Sequence, residues 1–133
     1  YNGKIVFYGM VEWASACLEN GIPVGLGTDT GCPYITHYDM WRELRYYHKY
    51  CGVSNGFALY TATKLNAEIA GIGDVTGSIE PGKSADFAVT SENPLEDLSA
   101  LRNIDMVVAR GNIIRAPKVK KMAEVERELD KFL

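Results

Sequence analysis

The stretch Val-Gly-Leu-Gly-Thr-Asp at residues 24–29 constrains the fold more than any other part of the chain. It is a short apolar run that ends abruptly on Gly-Thr-Asp, a pattern typical of a buried strand with one carboxylate at its tip. Parallel strands buried on both faces have near-continuous apolar sequences, and ligands bind at their carboxyl ends. We therefore predict a strand that ends at Asp29 and makes it a candidate site residue. The alternative is that Asp29 caps the next helix or holds a turn.

A helix is predicted just before this strand, over residues 11–20. It should end at Gly21, with Pro23 following, because Gly suits the left-handed position after a helix and Pro cannot continue one. A helix, a Gly stop, a short link and a strand follow one another in the order of an α/β unit. Trp13 is expected in the core. The apolar residues at helical spacing are Val6, Met10, Trp13, Ala14 and Cys17.

A loop and then a helix are predicted after Asp29. Gly and Pro interrupt residues 30–37, so this segment should be a loop at the strand's carboxyl end, where functional sites often lie. An amphipathic helix follows over residues 40–51 and ends at Gly52. His48 lies on its apolar face, where a histidine is more often a core or edge residue than a metal ligand.

Two short helices are predicted next, one after the other. Ser54 can cap the first, over residues 56–62, because its hydroxyl can accept a hydrogen bond from a backbone N–H of the first turn. Thr63 or Asn66 can start the second, which should stop at Gly71.

Short apolar runs separated by turns then predict two β-hairpins. Glu-Pro-Gly-Lys has the Pro and Gly positions of a type II turn, so residues 77–79 and 85–90 should form the first hairpin. Residues 104–109 and 113–114 flank Arg-Gly-Asn and should form the second. Strands this few and short are not stable alone, so we expect them to complete a sheet begun elsewhere in a longer chain. An amphipathic helix is predicted over residues 118–133.

The composition argues against several classes of function. The 133 residues are 47% hydrophobic and 23% charged with a net charge of −3, as in ordinary soluble domains. Without a dense basic run, no nucleic acid partner is expected, and no apolar stretch approaches the roughly 20 residues of a membrane span. The lack of such a stretch, and of a basic region followed by an apolar one at the start, predicts a cytoplasmic location. Three cysteines, odd in number and without CxxC spacing, predict free thiols. The chain starts at Tyr1 without an initiator Met, so we expect a piece of a longer protein.

Two motifs carry a family resemblance. Residues 62–67 contain Ala-Thr-x-x-Asn-Ala, and residues 77–86 contain Gly-Ser-Ile-x-Pro-Gly-Lys-x-Ala-Asp. Together with the Gly-Thr-Asp that ends at Asp29, these motifs at this spacing resemble the C-terminal part of a metal-dependent amidohydrolase, most closely the imidazolonepropionase and prolidase-like branch. The resemblance runs to about residue 112 and leaves the terminal helix outside.

The resemblance implies an α/β fold that combines the end of a (β/α)8 TIM barrel with part of a small β-sandwich. Residues 1–72 would be the last βα units of the barrel, with its last strand and helices. Residues 73–117 would be the C-terminal strands of the composite sandwich, and residues 118–133 the terminal helix. The rest of the barrel would come from the longer chain, and a homo-oligomer is expected.

The resemblance also implies a divalent metal, expected to be zinc as one or two ions. Asp29 would bind it together with histidines from earlier strands that lie outside this chain. In this chemistry the metal lowers the pKa of its water toward about 7, and Asp29 accepts the water proton and returns it to the departing nitrogen. The implied substrate is a small peptide-like or cyclic amide, such as a dipeptide-like compound.

Several alternatives stay open at this point. His37 lies on the loop beyond Asp29 and would bind substrate there, or else it is a surface or helix-capping residue. Cys32 is interpreted as pocket lining or core, because water activated by a metal needs no thiol nucleophile. The same scaffold could instead deaminate an amidine or aromatic ring, or serve binding or assembly without catalysis.

Overall fold

The computed structural model describes residues 2–133, which contain helices and one small antiparallel sheet. This confirms the α/β class predicted from the sequence. No helix in these residues is both long and apolar enough to cross a bilayer. In chain order the elements are α1 (Asn2–Glu19), α2 (Met40–Cys51), α3 (Asn55–Tyr60), a π-helical segment (Thr61–Leu65), α4 (Asn66–Ile69), β1 (Phe87–Val89), a 3-10 helix (Leu98–Arg102), β2 (Met106–Ala109), β3 (Asn112–Arg115), α5 (Ala123–Leu129) and a 3-10 turn (Asp130–Phe132).

Helix α1 is longer than predicted, and its Trp is not in the core. The helix begins at Asn2 and ends before Gly21, which has the predicted left-handed conformation with φ of 70°. Trp13 is 76% exposed, so its predicted burial is wrong for the described residues. The reason is physical: helical spacing marks an apolar face, but it does not say which partner covers that face.

Helix α2 has the range and the end that the sequence predicts. Gly52 has φ of 70° and donates its N–H to the carbonyl oxygen of His48 at 3.1 Å. The apolar face of α2 packs against α3 and the 3-10 helix, and burial of each large apolar side chain contributes about 1.5–3 kcal/mol. The buried members of this core are Leu44, Tyr47, Ala58 and Leu98.

The two short helices predicted after Ser54 are one continuous helical run. Ser54 caps it as predicted, because its Oγ accepts a hydrogen bond from the Phe57 N–H at 3.1 Å. Thr63 starts no new helix, since its hydroxyl donates to the carbonyl oxygen of Leu59 one turn earlier, at 2.7 Å. The run passes from α3 into α4 through the π-helical segment, so the prediction of two separate helices is wrong.

In the sheet, β2 lies between β1 and β3 and is antiparallel to both. The predicted second hairpin is confirmed: Arg110 and Gly111 join β2 to β3 with φ of 49° and 78°, both positive as a type I′ turn requires. The first predicted hairpin is wrong, because residues 77–79 form no strand and β1 pairs with β2 instead. Its turn is present, since the Lys83 N–H donates to the Glu80 carbonyl oxygen at 3.2 Å. A turn reverses the chain without requiring paired strands on both sides.

The strand predicted at residues 24–29 is absent. A strand needs a neighbour that takes its backbone hydrogen bonds, and the described part of the chain provides none here. A side chain takes that place: the Leu26 N–H donates to Asn66 Oδ1 at 2.9 Å, and Asn66 Nδ2 donates to the Leu26 carbonyl oxygen at 2.8 Å. One amide side chain therefore holds this apolar segment against the start of α4.

The C-terminal segment, defined as residues 117–133, contains less helix than predicted. Residues 117–122 are irregular, and α5 begins only at Ala123. Its apolar face is also largely open, with Met122 at 54% and Phe132 at 57% exposed. The buried residue of α5 is instead a carboxylate, Glu126, which is 7% exposed. Charge, rather than apolar packing alone, therefore attaches this segment to the rest of the molecule.

Candidate active site

Asp29 is an exposed residue in the left-handed backbone region, with φ of 51°. Asp tolerates this region better than most residues do. The hydroxyl oxygens of its neighbours Thr28 and Thr30 lie 2.7 Å apart, and the Cys32 N–H donates to the Asp29 carbonyl oxygen at 3.4 Å. Asp29 thus holds a tight turn with its backbone while its side chain stays open to solvent.

His37 is exposed and lies between Asp29 and α2. Its ring meets the ring of Tyr38 edge-on, with centroids 5.2 Å apart. The residues around it are anchored, because Thr36 and Asp39 are each 5% exposed. The Thr36 hydroxyl donates to the Asp39 carboxylate at 2.5 Å. The His37 imidazole is therefore accessible, while the loop residues next to it are held in place by buried polar contacts.

A surface cavity of about 490 Å³ lies beside His37. One wall is the loop itself, and the other includes Lys120 and Met122 of the C-terminal segment. The Met122 N–H donates to the Tyr38 hydroxyl oxygen at 2.9 Å and so joins the two walls. Sequence reasoning missed Lys120 and Met122, because no local pattern connects residues 84 positions apart in the chain.

The structure brings together only part of the predicted site. Thr30 and His37 line the same cavity, whereas Asp29 is not among its lining residues. Cys32, predicted to be pocket lining or core, is exposed and is not in that lining either. His48 follows its prediction as an edge residue: it is exposed, and its Nδ1 donates to the Val53 carbonyl oxygen at 2.6 Å.

Five charged side chains, here called the ion network, join α2 to the C-terminal segment. Arg42, only 2% exposed, contacts Asp39 at 3.1 Å and Glu126 at 3.1 Å. It also contacts Asp130 at 2.8 Å. Arg102 contacts Glu126 at 3.0 Å and Asp130 at 2.9 Å. Both guanidinium groups lie over the ring of one buried tryptophan, at 4.5 and 5.3 Å from its centroid.

The pKa values in the ion network follow from these contacts. Burial disfavours the charge on Arg42, but the nearby carboxylates of Asp130, Asp39 and Glu126 outweigh it and raise the pKa of Arg42 above its usual value. Burial likewise works against the charge on Asp130, yet its contacts with Arg102 and Arg42 hold the pKa of Asp130 below its usual range. Arg42 and Asp130 are therefore both charged near neutral pH.

The donor set for the metal that the motifs imply is incomplete in the described residues. A catalytic zinc site needs about three protein ligands and one open position. No group of three or more His, Cys, Asp or Glu side chains within residues 2–133 could hold a metal ion. Asp29 fits the role of one ligand, since its side chain is exposed and is not part of the ion network. Cys17, Cys32 and Cys51 are free thiols.

Comparison with known sequences tests the family resemblance that the two motifs carry. The sequence model of the amidohydrolase family matches residues 10–114. The chain is 30% identical over 104 residues to the imidazolonepropionase of Thermoplasma acidophilum, an alignment that covers 76% of this chain and 25% of that protein. The matched range contains both motifs and Asp29, and it ends before the C-terminal segment.

Solved structures agree with the sequence match. A Bifidobacterium longum protein described as a prolidase has a TM-score of 0.89 and 43% identity over 92% of this chain and 30% of that one. A Xaa-Pro dipeptidase with methionine bound in its active site has a TM-score of 0.71 and 33% identity over 79% of this chain and 25% of that one. The chain thus spans 25–30% of the length of these relatives. Because the family model matches most of the chain, the resemblance read from the motifs is confirmed, and the chain belongs to the amidohydrolase family.

Proposed function

We propose that this chain is part of a hydrolase that cleaves a carbon–nitrogen bond in a small amide, with Asp29 as its proton carrier and as one ligand of a divalent metal. The observation that carries the proposal is the exposed Asp29 carboxylate, placed by a Gly-Thr-Asp turn inside a family-matched range. The similarity to a Xaa-Pro dipeptidase at 33% identity supports a peptide-like substrate over other amides.

The residues of this chain account for part of such a reaction. A carboxylate can both bind a cation and move a proton, and Asp29 is open enough to do both. Bound zinc would supply a water of lowered pKa. Asp29 would then hold the proton of that water and pass it to the departing nitrogen. The remaining ligands, expected to be histidines, would come from residues outside this chain.

The architecture is proposed on the same basis. Residues 1–72 would form the last units of a (β/α)8 barrel, where residues 24–29 would gain a neighbouring strand from the rest of the protein. Residues 73–117 would complete a small sandwich, and their three-stranded antiparallel sheet is of suitable size for that role. In this arrangement Asp29 would stand at a strand's carboxyl end, where barrel enzymes place their catalytic groups.

His37 is proposed to contact the substrate. It is exposed, it lines the 490 Å³ cavity, and Thr30 next to Asp29 lines the same cavity. An imidazole in this place can hydrogen-bond to a carbonyl oxygen or a carboxylate of a dipeptide-like molecule. The His37→Ala variant of the full-length protein should raise KM and keep the metal content of the wild type. Loss of metal from the variant would mean that His37 is a metal ligand. An unchanged kcat/KM would mean that His37 is a surface residue with no role in substrate binding.

The test of the main proposal is the Asp29→Asn variant of the full-length protein that contains this chain. Asn has nearly the same volume but cannot accept the proton, so kcat for a dipeptide-like amide should fall by about 10²–10⁴-fold. The matched control is Asp74→Asn, because Asp74 is an exposed Asp outside the candidate site. Metal content is measured on each variant. Activity of Asp29→Asn within a few-fold of the control would contradict the assignment.

A further inference from the structure

The C-terminal segment contacts the loop that carries His37, in addition to its contacts with α2 and the 3-10 helix. The Met122 N–H donates to the Tyr38 hydroxyl oxygen, next to His37, at 2.9 Å. Met122 and Lys120 form part of the cavity wall opposite the loop. This segment lies after residue 114, beyond the range shared with the family model.

The ion network makes a second and stronger connection between the same two parts. From the loop, the Thr36 hydroxyl donates to Asp39 at 2.5 Å, and Asp39 accepts from Arg42 Nε at 3.1 Å. Arg42 in turn donates from Nη2 to the Glu126 carboxylate of α5 at 3.1 Å. Three of these side chains belong to the loop or to the first turn of α2, and the fourth belongs to the C-terminal segment.

The burial of these groups makes the connection rigid. Thr36, Asp39, Arg42 and Glu126 are between 2% and 7% exposed. Buried charges are strongly favoured only with their partners in place, because removing one partner leaves the other uncompensated in a medium of low dielectric constant. A displacement of α5 would leave Arg42 without Glu126, so the loop and α5 are expected to move together.

We infer that the C-terminal segment positions the His37 loop, and that Arg42 and Glu126 are the positioning residues. Neither Arg42 nor Glu126 lines the cavity; both act through Asp39 and through Thr36, which does line it. The effect on turnover rests on the proposed function, because it requires His37 to contact substrate. The effect on loop mobility does not depend on that function, since it follows from the contacts alone.

The experiment compares Glu126→Gln with Glu128→Gln in the full-length protein. Both change a carboxylate to an amide on α5, but within residues 2–133 the Glu128 carboxylate forms its one ion pair with Lys131 at the surface, at 2.6 Å. Hydrogen exchange followed by mass spectrometry reports on residues 30–39, with the run from α3 to α4 as internal reference. Glu126→Gln should speed loop exchange by about tenfold and leave the reference unchanged. Glu128→Gln should change neither.

Steady-state kinetics with a dipeptide-like amide separates positioning from simple stability. A displaced His37 should raise KM several-fold in Glu126→Gln and change kcat much less, whereas loss of folded protein would lower apparent kcat at constant KM. Wild-type protein that hydrolyses no amide would contradict the proposed function and leave the exchange result intact. Unchanged loop exchange in Glu126→Gln, with faster exchange confined to α5, would overturn the inference.

A second variant covers the case in which Glu126→Gln does not fold. Tyr38→Phe removes only the neutral hydrogen bond from the Met122 N–H and leaves every buried charge paired. It should speed exchange of residues 30–39 relative to a Tyr60→Phe control, since Tyr60 is 40% exposed on α3 and lies outside the loop. Equal exchange in the two variants would also overturn the inference.

Discussion

Gly77 packs so closely on Ala67 that a Cβ atom built on Gly77 would lie 2.5 Å from the Ala67 Cβ. The same atom would lie 3.1 Å from the Thr63 carbonyl oxygen, and Gly77 has φ of 94°. These residues belong to the two family motifs, which therefore meet in space although ten positions separate them. Small residues on both sides allow the chain after α4 to lie directly on the helix.

Gly77→Ala is expected to destabilise the protein more than Gly82→Ala does. Both glycines have strongly positive φ, at 94° and 90°, so both alanines carry a backbone strain of about 1–2 kcal/mol. A Cβ on Gly82 meets nothing within 4 Å, whereas on Gly77 it adds an overpacking cost of about 1–3 kcal/mol. Denaturant midpoints of the two full-length variants measure the difference. Equal losses of stability in the two variants would mean that the close packing of Gly77 on Ala67 does not contribute to stability.

Asn66→Asp should lower the free energy of unfolding by about 1–3 kcal/mol, because a carboxylate cannot donate to the Leu26 carbonyl oxygen that Asn66 Nδ2 now contacts at 2.8 Å. That oxygen would lose its partner and face a negative charge. Asn103→Asp is the control, since Asn103 is an exposed Asn of the same size. Urea unfolding of both variants gives the comparison, and a loss no larger than that of the control would contradict the role of Asn66.

The stability of the β2–β3 turn should depend on pH through Asp86. Its carboxylate accepts from the Arg110 N–H at 2.7 Å and from the Thr76 hydroxyl at 2.9 Å. The hydrogen bond from the Arg110 N–H first, and then the Ser84 and Thr76 side chains, hold the pKa of Asp86 below its usual value. Because the pKa of Asp86 is lowered in the folded state, its carboxylate contributes to stability above the unfolded-state pKa of about 3.9. This contribution is lost as pH falls through the folded-state pKa.

Asp86→Asn should therefore be less stable than the wild type at pH 7, with the difference shrinking below about pH 4. The comparison uses melting temperatures of both full-length proteins between pH 7 and the lowest pH at which they stay folded. A difference that remains constant, or that grows as pH falls, would contradict the assigned contacts of Asp86.

These 133 residues made alone should hydrolyse no amide and bind zinc weakly. The described residues contain no complete metal donor set. A cleft of about 1060 Å³ also opens between Leu26, α4 and β1, and α1 exposes Ile5 at 64% and Trp13 at 76%. Such apolar surface favours self-association. Zinc calorimetry and sedimentation test both parts. A monodisperse monomer with stoichiometric zinc at micromolar affinity, about −8 kcal/mol, would contradict this prediction.

The elements that sequence alone determined are those whose causes are local. Gly52 ends α2, Ser54 caps α3, and Arg110 with Gly111 turns β2 into β3. In each case the deciding hydrogen bond or backbone conformation lies within a few residues, so the pattern contains its own explanation. The two motifs belong here as well, because they predicted the family that the family model confirms.

Tertiary structure decided everything that depends on a distant partner. The segment at residues 24–29 is held by an Asn 40 positions later, and the loop at His37 is joined to a backbone N–H 84 positions away. Apolar spacing could not tell that Trp13 stays exposed or that the buried residue of α5 is Glu126. Burial and pairing are properties of two surfaces in contact. A pattern along one segment specifies only one of them, and folding supplies the other.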